Sequence, residues 1–260
     1  MGKLPSNELQ KLLVCIKQDS RVIVPPMIGY DAGVHQLGEQ CIAVASDPCT
    51  GVPEAWFGWL LINYSASDVS LFGAKPEFCT INLLGPKGTK PELFQNIMRQ
   101  TCKAAEELGI AIVRGHTGIY DSINEITGVA TVYGSVKKEK LITPAGAKPG
   151  DLILCTKSLG HEIVTNFALA HKNAAQKIFG KERQLQLSND MPLQSCVKEA
   201  LALAQIEGVH AMHDATEGGF IAALNELADA SNAGFKVYWS NIPISDEVLL
   251  LKAHFGLSAN

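Results

Sequence analysis

The stretch that decides the fold is His213-Asp214-Ala215-Thr216-Glu217-Gly218-Gly219, which leads into the helical pattern FIAALNELADAS at 220–231. An apolar run of strand type, Val209–Met212, precedes it. Thr216 is a helix-capping residue type, and an acidic Glu217 suits the positive first turn of a helix. The pattern therefore predicts a strand end, a polar elbow and an amphipathic helix that Gly234 closes.

The two glycines of this elbow indicate a phosphate site. Gly218 and Gly219 let a ligand approach the backbone closely, and the free N–H groups of a helix start attract phosphate. Asp214 and Glu217 would repel a bare phosphate, so the pattern makes sense if Mg²⁺ accompanies it. The alternative from these residues alone is a tight strand-to-helix turn with a good cap.

The whole element resembles the second-domain motif of the aminoimidazole ribonucleotide synthetase superfamily. That superfamily includes thiamine-monophosphate kinase, selenophosphate synthetase and the hydrogenase maturation dehydratase. Further segments resemble it in the right order, namely IGYDAGV at 28–34, ASDVSLFGAKP at 66–76, RGHTG at 114–118 and PGD at 149–151. Any one of these motifs is weak evidence, whereas the ordered set is strong.

The resemblance implies an α/β (α+β) fold with two domains. We expect residues 1–147 to form a mixed-sheet domain that binds ATP and dimerises, and residues 148–260 to form an α/β domain shorter than in the family. The lysine-rich and Pro/Gly-rich stretch 137–150 is the predicted boundary.

Composition limits the function classes. The chain has 260 residues, 47% of them hydrophobic, which is enough for a sizeable core. A net charge of −4 predicts no nucleic-acid or membrane partner, and no apolar run is long enough to cross a bilayer. The seven scattered cysteines form no close pair and argue against a disulfide framework. A cytoplasmic protein is therefore expected.

Hydrophobic periodicity predicts the elements. Predicted strands are 40–46, 77–84, 110–113, 125–136, 151–156 and 235–239. Predicted helices are 5–19, 56–71, 91–108, 158–178, 194–207 and 245–253, with a loop at 180–192.

Three aspartates form the predicted metal site. Asp31, Asp47 and Asp68 each lie at an element end or beside glycine, from where a side chain reaches a cleft. Mg²⁺ prefers hard oxygen ligands and keeps phosphate oxygens in its shell. From spacing alone, each aspartate could equally be a turn or cap residue. The resemblance implies that all three bind metal and that Asp31 and Asp68 also contact ATP.

The motif Gly115-His116-Thr117-Gly118 follows a predicted strand and is predicted to turn there. Gly115 permits close backbone approach, and Thr117 offers a hydroxyl to phosphate. His116 stands where many relatives carry aspartate, and it could contact phosphate or substrate. The alternative is a structural histidine in a turn. Together with the elbow, the resemblance implies cofactor contacts from Gly115, Thr117, Thr216, Gly218 and Gly219, and catalytic roles for His116 and Asp214.

These residues predict an ATP- and Mg²⁺-dependent enzyme. It would transfer the γ-phosphoryl group to an oxygen of a small-molecule substrate, as a kinase or as an amide- or carbonyl-activating ligase. Two alternatives stay open, namely a nucleotide-binding protein without turnover and a selenophosphate synthetase-like dikinase. The dikinase needs a reactive chalcogen in a glycine-rich segment, whereas Cys15 lies in a helical pattern without glycines. A homodimer is the expected assembly.

Overall fold

The computed structural model describes residues 4–257, which divide into two units. The first unit takes the chain up to Pro149 together with Cys196–Gly234. The second takes Gly150–Ser195 and the chain from Phe235 onward. The elbow at 213–219 and its helix therefore lie in the same unit as Asp31, Asp47 and Asp68.

A six-stranded mixed sheet forms the centre of the first unit, with the order β1-β2-β3-β6-β4-β5. Its strands are β1 (Val22–Val24), β2 (Gly33–Leu37), β3 (Gln40–Thr50), β4 (Phe78–Pro86), β5 (Ala111–Tyr120) and β6 (Thr127–Lys137). The outer pair β4 and β5 is parallel, and the other neighbours are antiparallel. The mixed α/β class expected from the sequence is confirmed.

One face of this sheet is covered by helices. Helix α2 (Phe57–Leu71) packs against β3, β6 and α3 (Pro91–Leu108). Alternate residues of β6 are buried, as a strand covered on one face requires. Helices α2 and α3 approach closely at Gly58, where a Cβ atom would lie 2.3 Å from the carbonyl oxygen of Ile97.

The opposite face of the sheet is open in this chain. Phe78 of β4 and Tyr133 of β6 stack there with ring centroids 5.6 Å apart, and Phe78 is exposed. The edge strand β5 is exposed along nearly its whole length, including Val113 and Ile119. An apolar sheet face rimmed by an exposed edge strand is the kind of surface that natural proteins usually cover.

Three further helices belong to the first unit, namely α1 (Ser6–Leu13), α7 (Val197–Leu203) and α8 (Gly219–Ser231). The end of α8 is fixed by Ser231, whose hydroxyl donates to the carbonyl of Pro144 at 2.6 Å and accepts from the amide of Ala147. Helix α7 packs against α2, and the amide of Cys196 before it donates to the Ser67 hydroxyl.

The second unit is helical within the described residues. It holds α4 (His161–Ala170), α5 (Lys172–Phe179), α6 (Lys181–Asn189) and α9 (Asp246–Phe255) around a small apolar core. Between Gly150 and Leu257 the only strand-type pairing is the isolated bridge from Leu159 to Ile244. The predictions of strands at 151–156 and 235–239 are therefore wrong. The prediction of a strand at 209–212 is wrong as well.

Other local predictions also differ. Helix α1 ends at Leu13, not at Asp19, and the helix predicted over 158–178 is broken at His171 into α4 and α5. The predicted loop at 180–192 contains α6, because its polar residues bond inward: Gln184 donates to the carbonyl of Ala168 at 3.0 Å.

Candidate metal and nucleotide site

Four aspartates converge from four elements of the first unit. Asp31 lies in the loop before β2, Asp47 in β3, Asp68 in α2, and Asp214 in the elbow before α8. The charges of Asp47, Asp214 and Asp31 all act on Asp68. The structure thus brings together the three aspartates predicted to bind metal and adds Asp214, which was predicted to be catalytic.

Ser65 fixes the position of Asp47. Its hydroxyl lies 2.7 Å from the Asp47 carboxylate and 2.9 Å from the Ala130 carbonyl, and it is also 3.1 Å from the Asp47 amide. The sequence pattern predicted that Asp47 follows the end of a strand. Strand β3 instead continues to Thr50, so Asp47 lies inside the strand. Its side chain contacts Ser65 of α2, which stands about one helical turn before Asp68 in the same helix.

The site disfavours charge on Asp68 when no cation is bound. Burial raises the pKa of the Asp68 carboxyl well above its ordinary value, and the charges of Asp47, Asp214 and Asp31 raise it further. A hydrogen bond with Asp47 acts in the same direction. Four acidic groups at one place are costly unless a cation compensates them.

His213 is central to the cluster and was not predicted as a site residue. Its side chain is 2% exposed, and Nδ1 lies 3.5 Å from Asp31 Oδ2 and 3.8 Å from Asp214 Oδ1. On the other side of the ring, Nε2 lies 2.9 Å from Glu226 Oε2 in α8. The available signal was a histidine directly after the apolar run 209–212, where a polar side chain needs partners.

Gly29 allows Glu226 to reach this position. Its φ is +80°, and a Cβ atom there would lie 2.9 Å from the Glu226 Cβ. Glycine therefore satisfies both the left-handed backbone and the close contact with α8. The loop that carries Asp31 is held against the helix that follows Asp214.

The start of α8 differs from the prediction in its cap. Thr216 is not the N-cap; Gly218 takes that position with φ +86°, and no side chain caps the helix. A Cβ atom at Gly218 would lie 2.6 Å from that of Ala222, so packing alone demands glycine there. Gly219, with φ +64°, has nothing within 4 Å of such an atom, which leaves its backbone approachable. The helix ends at Ser231 and is closed by Asn232 in the left-handed region, and not by Gly234.

Residues 115–118 do not form the predicted turn. They lie inside β5, which is separated from β3 by β6 and β4, or roughly 14 Å at normal strand spacing. Within one chain, Gly115, His116 and Thr117 are therefore not part of the aspartate cluster. A Cβ atom at Gly115 would lie 2.7 Å from the Ile81 carbonyl oxygen, so this glycine serves the pairing of β4 with β5.

His116 has a partner of its own on this strand. Its Nε2 lies 2.6 Å from the Tyr120 hydroxyl, and both residues are exposed. A Cβ atom at the intervening Gly118 would lie 2.7 Å from the Tyr120 ring, so glycine makes room for the ring to reach His116.

The donor set of the cluster fits a hard divalent cation. Carboxylate oxygens of Asp31 and Asp214 lie within 4.8 Å of one another, and a ring nitrogen of His213 lies within the same distance of both. Oxygen ligands on opposite sides of one Mg²⁺ are about 4.2 Å apart, so small side-chain movements would complete a shell. The carboxylate oxygens are the donors that Mg²⁺ prefers.

Comparison with known protein families decides the assignment. Residues 29–136 match the sequence model of the AIR synthase related protein N-terminal domain, and residues 148–259 match that of its C-terminal domain. The chain belongs to the AIR synthase related family. The family resemblance identified from the sequence motifs is thereby confirmed.

Individual relatives have sequences that are similar to most of this chain. It is 29% identical over 234 residues to a putative hydrogenase expression/formation protein of Methanocaldococcus jannaschii, covering 87% of this chain and 66% of that protein. It is 30% identical to a selenide, water dikinase of Myxococcus xanthus, covering 95% of this chain and 69% of that protein. The chain thus spans about two thirds of the length of these relatives.

A crystal structure of the hydrogenase maturation protein HypE in complex with ATP has the same fold. It superposes with a TM-score of 0.69 at 21% identity, covering 95% of this chain and 71% of that one. No helix among residues 4–257 combines the length and the apolarity that a membrane span requires.

Proposed function

We propose that this protein is an ATP- and Mg²⁺-dependent enzyme that transfers the γ-phosphoryl group of ATP to an oxygen of a small-molecule substrate. The observation that carries the proposal is the convergence of Asp31, Asp47, Asp68 and Asp214 beside a glycine-rich helix start. A named relative is a dikinase, and a structure with the same fold was solved with ATP.

The aspartates would hold Mg²⁺ and, through it, the phosphates. Asp31 and Asp214 supply oxygens within 4.8 Å of each other, while Asp47 and Asp68 share a hydrogen bond beside them. Bound Mg²⁺ would supply charge neutralisation on the phosphate oxygens. The chain's own contribution is to keep four carboxylates in place before the cation binds. Because the carboxylates are already ordered, cation binding costs less conformational entropy.

Helix α8 would orient the nucleotide. The N–H of Gly219 already donates to the Thr216 carbonyl, but the N–H groups of the next residues in the first turn have no intrahelical acceptor. The open surroundings of Gly219 would let phosphate oxygens approach them. Asp214, just before this helix, would then face both the metal and the phosphates. No covalent intermediate is needed, because the acceptor oxygen of the substrate can attack the γ-phosphorus in line.

The working assembly in this proposal is a homodimer built on the open sheet face. Phe78 and Tyr133 give this face an apolar centre, and β5 offers an unpaired edge. His116, Tyr120 and Thr117 would then lie at the interface, where they could meet a ligand bound by the partner copy. This arrangement would restore the predicted ligand role of His116, which a single chain does not support.

Thermal unfolding with and without ligand tests nucleotide binding. A ligand at a hundred times its dissociation constant stabilises by about 2.7 kcal/mol, which for a chain of this size raises Tm by roughly 5–10 °C. We expect this rise with ATP plus Mg²⁺ and a much smaller one with ATP plus EDTA. An unchanged Tm at millimolar Mg²⁺-ATP would contradict the proposal.

A further inference from the structure

We propose that His213 is a positioning residue that orients the metal-binding carboxylates of Asp31 and Asp214, and that Glu226 holds His213 in that role. The inference rests on the proposed function, since it assumes that the carboxylates bind a divalent cation.

The contacts of the ring place it behind both carboxylates. Nδ1 lies 2.6 Å from the backbone carbonyl oxygen of Asp214, 3.5 Å from Asp31 Oδ2 and 3.8 Å from Asp214 Oδ1. The side chains of His213 and Asp31 are 2% and 7% exposed, so water has little access to either. One ring edge therefore touches two residues that come from distant parts of the chain.

The hydrogen bond at Nδ1 argues against His213 as a metal ligand. A backbone carbonyl oxygen can only accept, so a contact of 2.6 Å requires that Nδ1 carries the hydrogen. A nitrogen that carries hydrogen has no lone pair for a metal ion. His213 thus belongs to the layer that supports the ligands.

Glu226 removes the remaining freedom of the ring. Its carboxylate lies 2.9 Å from Nε2, on the side opposite Asp31. Glu226 also lies close to Gly29, two residues before Asp31, where an added Cβ atom would be 2.9 Å from the Glu226 Cβ. The His213 ring therefore contacts both α8, through Glu226, and the loop that carries Asp31. A rotation of the ring would break both contacts.

Groups that orient metal ligands have a measurable effect on metal affinity. Loss of such an outer partner typically weakens metal binding by about 10–100-fold. Without the ring, Asp31 and Asp214 would repel each other across an emptied space and would have to be ordered when the cation binds. The expected loss is therefore in metal affinity and exceeds any loss of fold.

Mn²⁺ binding by the whole chain, measured by electron paramagnetic resonance of free Mn²⁺, is the test. We expect His213→Ala to weaken Mn²⁺ binding by about 10–100-fold. His213→Asn should recover part of this loss, because its amide can still donate to the Asp214 carbonyl. If His213→Ala does not fold, His213→Asn and Glu226→Gln carry the test, and thermal unfolding without metal reports the fold of each.

A double-mutant comparison isolates the role of Glu226. Glu226→Ala should weaken Mn²⁺ binding in the wild-type background and have little effect when His213 is already alanine, because it acts through the ring. Asp229→Asn is the matched control for Glu226→Gln. It removes the same charge from an exposed position of α8 and should leave Mn²⁺ affinity unchanged.

The outcomes separate this inference from the proposed function. If the wild-type chain binds no Mn²⁺, the proposed function fails and the inference fails with it. If the wild type binds but His213→Ala and His213→Asn bind equally well, the inference alone is overturned. Strong coupling of Mn²⁺ to a directly bound nitrogen in pulsed resonance spectra would also overturn it, because His213 would then be a ligand.

Discussion

Replacing Asp68 with asparagine should have opposite effects on stability in the absence and presence of Mg²⁺-ATP. In the metal-free protein the Asp68 carboxyl is buried among Asp47, Asp214 and Asp31, and each of these influences raises its pKa. Asparagine keeps the shape and removes the charge. We therefore expect the metal-free variant to be more stable than wild type, and its stabilisation by Mg²⁺-ATP to be largely lost.

The sign of the pH dependence follows from the raised pKa. Between 3.8, the ordinary value, and the higher pKa of the folded state, the folded protein binds more protons than the unfolded chain. Asp68 therefore lowers the stability of the metal-free wild type as pH rises through that window. The advantage of Asp68→Asn should be small near the bottom of the window and grow towards neutral pH.

The magnitudes are large enough to measure. Removal of a poorly compensated buried charge, with the shape of the side chain kept, is worth at least on the order of 1–3 kcal/mol. At roughly 2–4 °C per kcal/mol, the metal-free Tm should rise by several degrees. The wild type should gain about 2.7 kcal/mol from Mg²⁺-ATP at a hundred times its dissociation constant, and the variant much less.

Calorimetric scans at several pH values, in EDTA and in Mg²⁺-ATP, provide the assay. Asp229→Asn serves as the control for loss of one exposed negative charge. The reasoning is refuted if Asp68→Asn is destabilised in EDTA near neutral pH, or if a folded variant keeps the full stabilisation by Mg²⁺-ATP.

Three further results are expected. ATP incubated with a productive substrate should yield ADP, measured by chromatography, because in-line transfer releases ADP; AMP as the main product would instead support the dikinase alternative. Light scattering at micromolar concentration should give a dimer that Phe78→Glu converts to a monomer by placing charge on the open apolar face; a monomeric wild type would contradict this. Gly115→Ala should lower Tm by roughly 4–10 °C, because the added Cβ would clash with the Ile81 carbonyl oxygen. Gly234→Ala is the control and should change Tm little, because that site is open. Equal Tm values for the two variants would show that β5 shifts without cost.

Elements with strong local signals could be predicted from the sequence. Helix α3 matches its prediction at both ends, because Pro91 stands in its first turn and Gly109 closes it with φ +70°. Helix α2 was predicted to within one residue by a run of small and apolar residues without proline. In these cases the residues that start and end the element lie within it or next to it in the sequence.

Elements that depend on distant partners could not be predicted in this way. The apolar run 151–156 has strand composition, yet no neighbouring strand pairs with it among the described residues, and a strand without a ladder does not form. By local rules, Gly115 indicated a turn. In the structure a glycine is needed there because the Ile81 carbonyl of the adjacent strand leaves no room for a side chain. Which strands are adjacent is a property of the whole sheet.

The candidate site shows the same division between local and distant causes. Asp31, Asp68 and Asp214 could be found because each stands in a recognisable local pattern, but their grouping depends on residues with no charge. Gly29 lets α8 approach the Asp31 loop, and Ser65 joins Asp47 to α2. His213 and Asp31 are far apart in the sequence, so no spacing rule predicts their contact. The small residues that allow two segments to meet are therefore as informative about this site as the carboxylates that they bring together.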